Sequence, residues 1–189
     1  LLADTTNQIS EGEVWQLKNR HRSDVSEHEY DQIITRKTAV LFEAAAGCAG
    51  LATNQPERIV SALKTYGLEL GFAFQLIDDY LDYAGDANSL GKHLGDDLAD
   101  GKCTLPVIKA LTESSEAEVT MITQAIAFGD RYRFSDIAEI VTRTSGLTYT
   151  KERAITSVHN AKQAIHQLPD SAFKEGLMGL ADLSLSRAN

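Results

Sequence analysis

Asp78, Asp79 and Asp82 sit in the run FQLIDDYLDY, where almost every neighbour is apolar or aromatic: Phe72, Phe74, Leu76, Ile77, Tyr80, Leu81 and Tyr83. On a helix that turns about 100° per residue, Asp78 and Asp82 lie ~40° apart and Asp79 about a quarter turn away. Two or three carboxylate oxygens can therefore be presented toward one place. An unpaired carboxylate in an apolar setting is very costly, so the pattern asks for a compensating cation. A solvated acidic face is the bland alternative for any charge cluster, but these neighbours leave little polar face to solvate. Oxygen-only donors point to Mg²⁺ rather than zinc or copper, and Mg²⁺ commonly bridges a few carboxylates to substrate phosphates. Lys92 and Lys102, each directly after a glycine (Gly91 and Gly101), can reach phosphate oxygens as point charges.

Asp96, Asp97 and Asp100 repeat the same spacing. The surrounding glycines place them on a loop, so they read as loop support and not as a second metal motif. Lys37-Thr38 lies on an earlier helix and is weak evidence by itself. His159 and His166 share a helix face but are expected to be solvated. No HExxH, phosphate-binding GxxxxGK[ST] or GxSxG pattern occurs.

The elements that must position these residues read as helices. Residues 1–20 carry a loose apolar stripe (Leu2, Ile9, Val14, Leu17), weakened by Gly12. Ser26 with Glu29 forms a capping-box pattern opening a helix to about Leu51. Its second half is slim, with Gly47, Gly50 and several alanines, which suits close packing. Pro56 marks the start of a long helix from Glu57 to about Tyr83. Residues 84–101 read as a loop because of Gly85, Gly91, Gly95 and Gly101. Thr104 and Pro106 open a further helix, followed by Ser115–Phe128 and by Ser135–Thr144 with Gly146 as its C-cap. Tyr149–Leu168 is amphipathic through Ile155, Val158, Ala161, Ile165 and Leu168. A last helix runs from Asp170 to about Arg187, with Phe173, Leu177, Leu180 and Leu183 or Leu185 inward. No strand alternation is evident. The fold class is all-α, a bundle of long, mostly antiparallel helices.

Composition narrows the function further. The 189 residues are 43% hydrophobic and 24% charged, as in ordinary globular chains, and suffice for a single domain with a sizeable core. The net charge of −9 disfavours nucleic acid and anionic membrane as partners. Cys48 and Cys103 give neither a disulfide framework nor a zinc spacing and read as reduced thiols of a cytoplasmic protein. No segment is long and apolar enough to span a bilayer, and no signal peptide is visible. The chain opens on Leu1 without a methionine, so it is expected to be cut from something longer.

FQLIDDYLDY, followed by GKHLGDDLADGKCTLP, resembles the second aspartate-rich region of the trans-type polyprenyl diphosphate synthases, most of all their bacterial long-chain branch. ISEGEVWQL, the Lys37-Thr38 pair in TRKTAVLFEAA and the order of these blocks are similar as well. The resemblance covers essentially the whole chain. It implies an isoprenoid-synthase bundle around a central cavity, with residues 1–189 as its C-terminal part. It also implies that Asp78, Asp79 and Asp82 hold Mg²⁺ against the diphosphate of an allylic substrate. Lys37 and Lys92 would bind that diphosphate, with Lys102 supporting the same loop. Thr38 and Gln75 would turn their oxygens toward the developing allylic cation. The expected reaction joins the allylic diphosphate to isopentenyl diphosphate, giving a polyprenyl diphosphate of the kind that supplies quinone side chains, in a homodimer. The first aspartate-rich motif of the family is not found in these residues, so this piece alone is expected to be inactive. A non-catalytic partner subunit is a second reading, although it would not need the intact aspartates and lysines. A class I terpene cyclase is a third, although its second metal motif usually mixes Asn, Ser or Thr and Glu at longer spacing.

Overall fold

In the computed structural model, which describes residues 1–84 and 94–187, the chain is helical and contains no strand among the described residues. α1 (Leu2–Asn19) comes first. α2 (Glu27–Ile34), a π-helical turn (Thr35–Ala39) and α3 (Val40–Ala52) then follow without interruption. The capping box at Ser26 forms as expected: the Glu29 amide donates to Ser26 Oγ (3.2 Å) and the Ser26 amide donates to Glu29 Oε2 (2.9 Å). Each satisfies an amide that the first helical turn would otherwise leave unpaired.

α4 (Glu57–Ala84) is the axis of the fold. Its 28 residues extend about 42 Å at 1.5 Å per residue, and it packs chiefly against α3 and α9 (Gly146–Ala164). The α3–α4 contact is close enough to exclude side chains. A Cβ on Gly67 would lie 2.3 Å from the Phe42 carbonyl oxygen. Gly67→Ala would gain about 1 kcal/mol of helix propensity. The neighbour it meets is backbone and cannot yield, so the overpacking cost of about 1–3 kcal/mol or more should win. A denaturant titration is expected to show net destabilisation. An unchanged or higher midpoint would show that the α3–α4 spacing is looser than described.

Beyond α4 come the short α5 (Asp96–Ala99), α6 (Leu105–Leu111), α7 (Glu116–Phe128), a 3₁₀ turn (Arg131–Arg133), α8 (Phe134–Arg143), α9, and α10 (Ala172–Ser186). One core gathers Leu76, Ile77, Leu98, Leu105, Val107 and Ile122 around the C-terminal half of α4. A second gathers Tyr66, Leu70, Ala73, Val158, Ala161 and Ile165 around its N-terminal half.

Three expectations need correction. Gly146 is not a C-cap: it opens α9 and is not among the glycines with positive φ. A Cβ there would meet the Pro106 carbonyl oxygen at 2.4 Å, so close packing, not a left-handed cap, explains the glycine. The apolar stripe of α1 does not face inward. Leu2, Val14 and Leu17 are more than half exposed, and the buried positions are Thr5 and Gly12. On α9 and α10, Ile155, Phe173, Leu180 and Leu183 are likewise exposed, whereas Ala181 and Ser184 are buried. No helix among the described residues is long and apolar enough to cross a membrane.

Candidate functional site

A cavity of about 250 Å³ opens between the end of α1, the α2–π segment, the middle of α4 and the segment around α5. Asp78 and Asp79 of α4 line it, with Gln75 one turn before them. Lys37, on the π turn, and Asp97 and Lys102, around α5, line it as well. The π turn packs directly against α1. A Cβ on Gly12 of α1 would lie 2.6 Å from the Lys37 amide nitrogen, so α1 presses directly on the backbone that carries Lys37. Such turns inside helices frequently occur at functional sites.

Asp79 is the most constrained carboxylate, with 3% of its surface exposed. Tyr30 Oη donates to its Oδ2 at 2.7 Å, and Gln75 Nε2 donates to its Oδ1 at 2.8 Å. Gln75 Oε1 in turn accepts from Thr38 Oγ1 at 2.9 Å, which fixes the amide's orientation from the network around it. Burial pushes the Asp79 carboxyl well above the usual carboxylate range, and the Asp97 charge pushes it further, against the bonds from Tyr30 and Gln75. Burial, then the charge of Asp79, raises the Tyr30 phenol well above its ordinary value, so it remains a donor. Thr38 itself does not line the cavity; it reaches the site through Gln75.

The three aspartates of the motif take different environments. Asp78 keeps about a third of its side chain exposed and lies 3.7 Å from the Arg187 guanidinium. Asp82 does not line the cavity. Its two oxygens accept from the amides of Asp96 and Asp97, both at 3.1 Å, satisfying the first turn of α5. Burial, and next the Asp97 charge, raises its pKa to about 6.

Asp97 takes a place at the cavity that its sequence context did not suggest. Burial raises its carboxyl above the ordinary range, although Lys102, 3.2 Å away, opposes the shift. Lys102 also reaches Asp100 at 2.9 Å. Burial alone would lower the lysine's pKa, but Asp97 and Asp100 more than offset this and hold it charged. Lys37 donates to Gln16 and lies 3.4 Å from Glu13. Lys92, expected at the same site, lies outside the described residues. Thr104 also lines the cavity, and its buried hydroxyl has no hydrogen-bond partner among the described residues. His159 and His166 are exposed, away from the site.

Two signals could have identified the missed residues. Asp97 repeats the Asp-Asp-x-x-Asp spacing beside a buried leucine, Leu98. Tyr30 is an aromatic residue with a polar tip on the capping-box helix that leads to Lys37.

Among the described residues, no three metal-ligating side chains converge on a single point. The donors nevertheless suit Mg²⁺, which usually keeps several waters and takes only one or two protein carboxylates together with substrate phosphates. Asp78 and Asp79 are neighbouring oxygen donors at the cavity, and Asp97 adds a further, partly buried carboxylate to its lining.

The family model for polyprenyl synthetase matches residues 1–143. The chain belongs to the polyprenyl synthetase family. It is 40% identical over 188 residues to octaprenyl diphosphate synthase of Escherichia coli, covering 99% of this chain and 58% of that protein. The corresponding Haemophilus influenzae enzyme is 41% identical and is covered to 57%. A decaprenyl diphosphate synthase from Rhodobacter capsulatus superposes with a TM-score of 0.93 at 37% identity, over 100% of this chain and 58% of that one. A Caulobacter crescentus polyprenyl synthase, solved with calcium and isoprenyl diphosphate, gives 0.94 at 37% identity over the same shares. The chain thus spans a little under three fifths of the length of these polyprenyl synthetase relatives. The all-helical fold expected from the sequence agrees with theirs.

Proposed function

We propose that the cavity is the half of a polyprenyl diphosphate synthase site that receives the diphosphate of an allylic substrate. The observation that carries this reading is the gathering of carboxylates Asp78, Asp79 and Asp97 and the cations Lys37 and Lys102 around one cavity. Carboxylates alone would repel a diphosphate, and lysines alone would leave the buried Asp79 uncompensated. Together they suit an anion that arrives with a divalent cation.

Asp78 and Asp79 would hold Mg²⁺, with Asp82 fastening the α5 segment that brings Asp97 and Lys102 to the same place. When bound, Mg²⁺ supplies positive charge that stabilises the departing diphosphate. Lys37 and Lys92 bind the diphosphate, and Lys102 keeps the loop charged and closed. The allylic C–O bond breaks with its electron pair leaving on the diphosphate. The double bond of isopentenyl diphosphate then forms the new C–C bond, and a proton is lost to the departed diphosphate. Gln75 Oε1, oriented by Thr38, places a partial negative charge beside the developing cation. Val25, Ile33 and Ile34 in the cavity wall keep water away from it.

The product would be a long polyprenyl diphosphate, a precursor of quinone side chains. The working form would be a cytoplasmic homodimer, with exposed apolar residues such as Leu2, Val14, Leu17 and Phe173 favouring association. The test is elongation of an allylic diphosphate by the protein at its natural length, with Mg²⁺ and labelled isopentenyl diphosphate. Polyprenyl diphosphate should form and should require the metal. No elongation, or a cyclised hydrocarbon product, would overturn the reading. The 189 residues tested by themselves should not elongate, because the first aspartate-rich motif expected of the family is not found in them.

A further inference from the structure

Asp79 could act on a cation only if its carboxylate is held still, and the residue that does so from outside its own helix is Tyr30. Gln75, four residues before Asp79 on α4, restrains one carboxylate oxygen; Tyr30, on α2, restrains the other. Without Tyr30, the remaining side-chain bond comes from the same helix and leaves the carboxylate free to tilt about it. Tyr30 is itself immobile, being 4% exposed, packed in the main core and on a helix with a complete capping box. It also lines the cavity. Its hydroxyl is thus a fixed point against which Asp79 is set.

We propose that Tyr30 is a positioning residue that acts through Asp79, orienting the carboxylate so that its free lone pairs point at the bound divalent cation. The inference rests on the reading of Asp79 as a magnesium ligand. The physical basis is general: ligating carboxylates are themselves hydrogen-bonded, and losing such an outer partner typically weakens metal binding about 10- to 100-fold. Nothing in the packing requires the hydroxyl, since phenylalanine would fill the same volume. What the tyrosine adds is the bond to Asp79.

The experiment measures Mg²⁺ binding by titration calorimetry on the natural-length protein with inorganic pyrophosphate present, so that no turnover enters. Tyr30→Phe is expected to weaken Mg²⁺ binding roughly 10-fold, with pyrophosphate affinity at saturating metal nearly unchanged. Asp79→Asn should weaken it at least as much, and adding Tyr30→Phe to Asp79→Asn should change nothing further, because the route through Asp79 is already broken. Binding by Tyr30→Phe within about twofold of the parent, while Asp79→Asn is impaired, would overturn the role of Tyr30 and leave the metal reading intact. If Asp79→Asn binds normally, the metal reading of Asp79 fails, and the inference with it. Should Tyr30→Phe not fold, 3-fluorotyrosine at position 30 changes the donor strength at nearly constant shape. A shifted Mg²⁺ midpoint is then expected, and an unshifted one would overturn the proposal.

Discussion

Asp78→Ala in the natural-length protein is expected to lower kcat by roughly 100- to 1,000-fold, the usual cost of removing one preorganised electrostatic contact to a leaving group. Folding stability should barely change. The Asp78 side chain is about a third exposed, and its 3.7 Å ion pair with Arg187 is also partly exposed; such pairs contribute about 0–1 kcal/mol. A large kinetic loss with an intact thermal transition would separate function from structure at this position. Asp100→Ala supplies the contrast. Among the described residues Asp100 pairs with Lys102 and Arg20, and it does not line the cavity, so its removal should cost no more than a few-fold in rate. Equal losses in steady-state assays of the two variants would mean that the wrong carboxylates carry the chemistry.

Lys102→Met should damage both stability and activity. Its Nζ lies 3.2 Å from the partly buried Asp97 and 2.9 Å from Asp100. Breaking a fully buried pair costs about 3–5 kcal/mol because a charge is left uncompensated. Both partners keep some exposed surface, so about 2–3 kcal/mol is expected in metal-free buffer. The loss should depend on pH in a definite direction. Burial already raises the Asp97 carboxyl above its ordinary value while Lys102 opposes the shift; without Lys102 it rises further. A raised carboxyl stabilises the fold relatively at low pH, below its unfolded value, and that advantage disappears as pH rises through the folded value. The deficit of Lys102→Met relative to the parent should therefore be full near pH ~8 and smaller near pH ~5. Denaturant midpoints at the two pH values provide the check. A deficit that grows toward acid would show that Asp97 is not the group Lys102 compensates.

The helices were legible in the sequence because their signals are local. The Ser26–Glu29 box and Pro56 before α4 each depend on residues within one turn. The placement of Asp78 and Asp79 followed from charge in an apolar run, which needs no knowledge of distant contacts. The different environments of Asp82 and Asp97 could not be read the same way. Both depend on how α5 folds back against the end of α4, where Asp82 accepts from the Asp96 and Asp97 amides. The π turn at Lys37 lies against Gly12 of α1, a contact with backbone 25 residues later in the chain that no local pattern shows. On α10, Leu177 and Leu185 pack on the cores as expected; the apolar stripe of α1 and the rest of that of α10 failed for a related reason. Periodicity finds an apolar face but not what covers it, and here the contacts are made by Gly12, Ala181 and Ser184 while Leu17 and Phe173 stay exposed.

The central claim, that carboxylates and lysines at this cavity hold a diphosphate through a divalent cation, is tested most directly by calorimetric binding of inorganic pyrophosphate to the natural-length protein, with Mg²⁺ and then with the metal chelated. Clear binding with Mg²⁺ is expected, with loss of most of it on chelation and the same loss in Asp78→Ala with the metal present. Equal pyrophosphate binding with and without Mg²⁺ would contradict it.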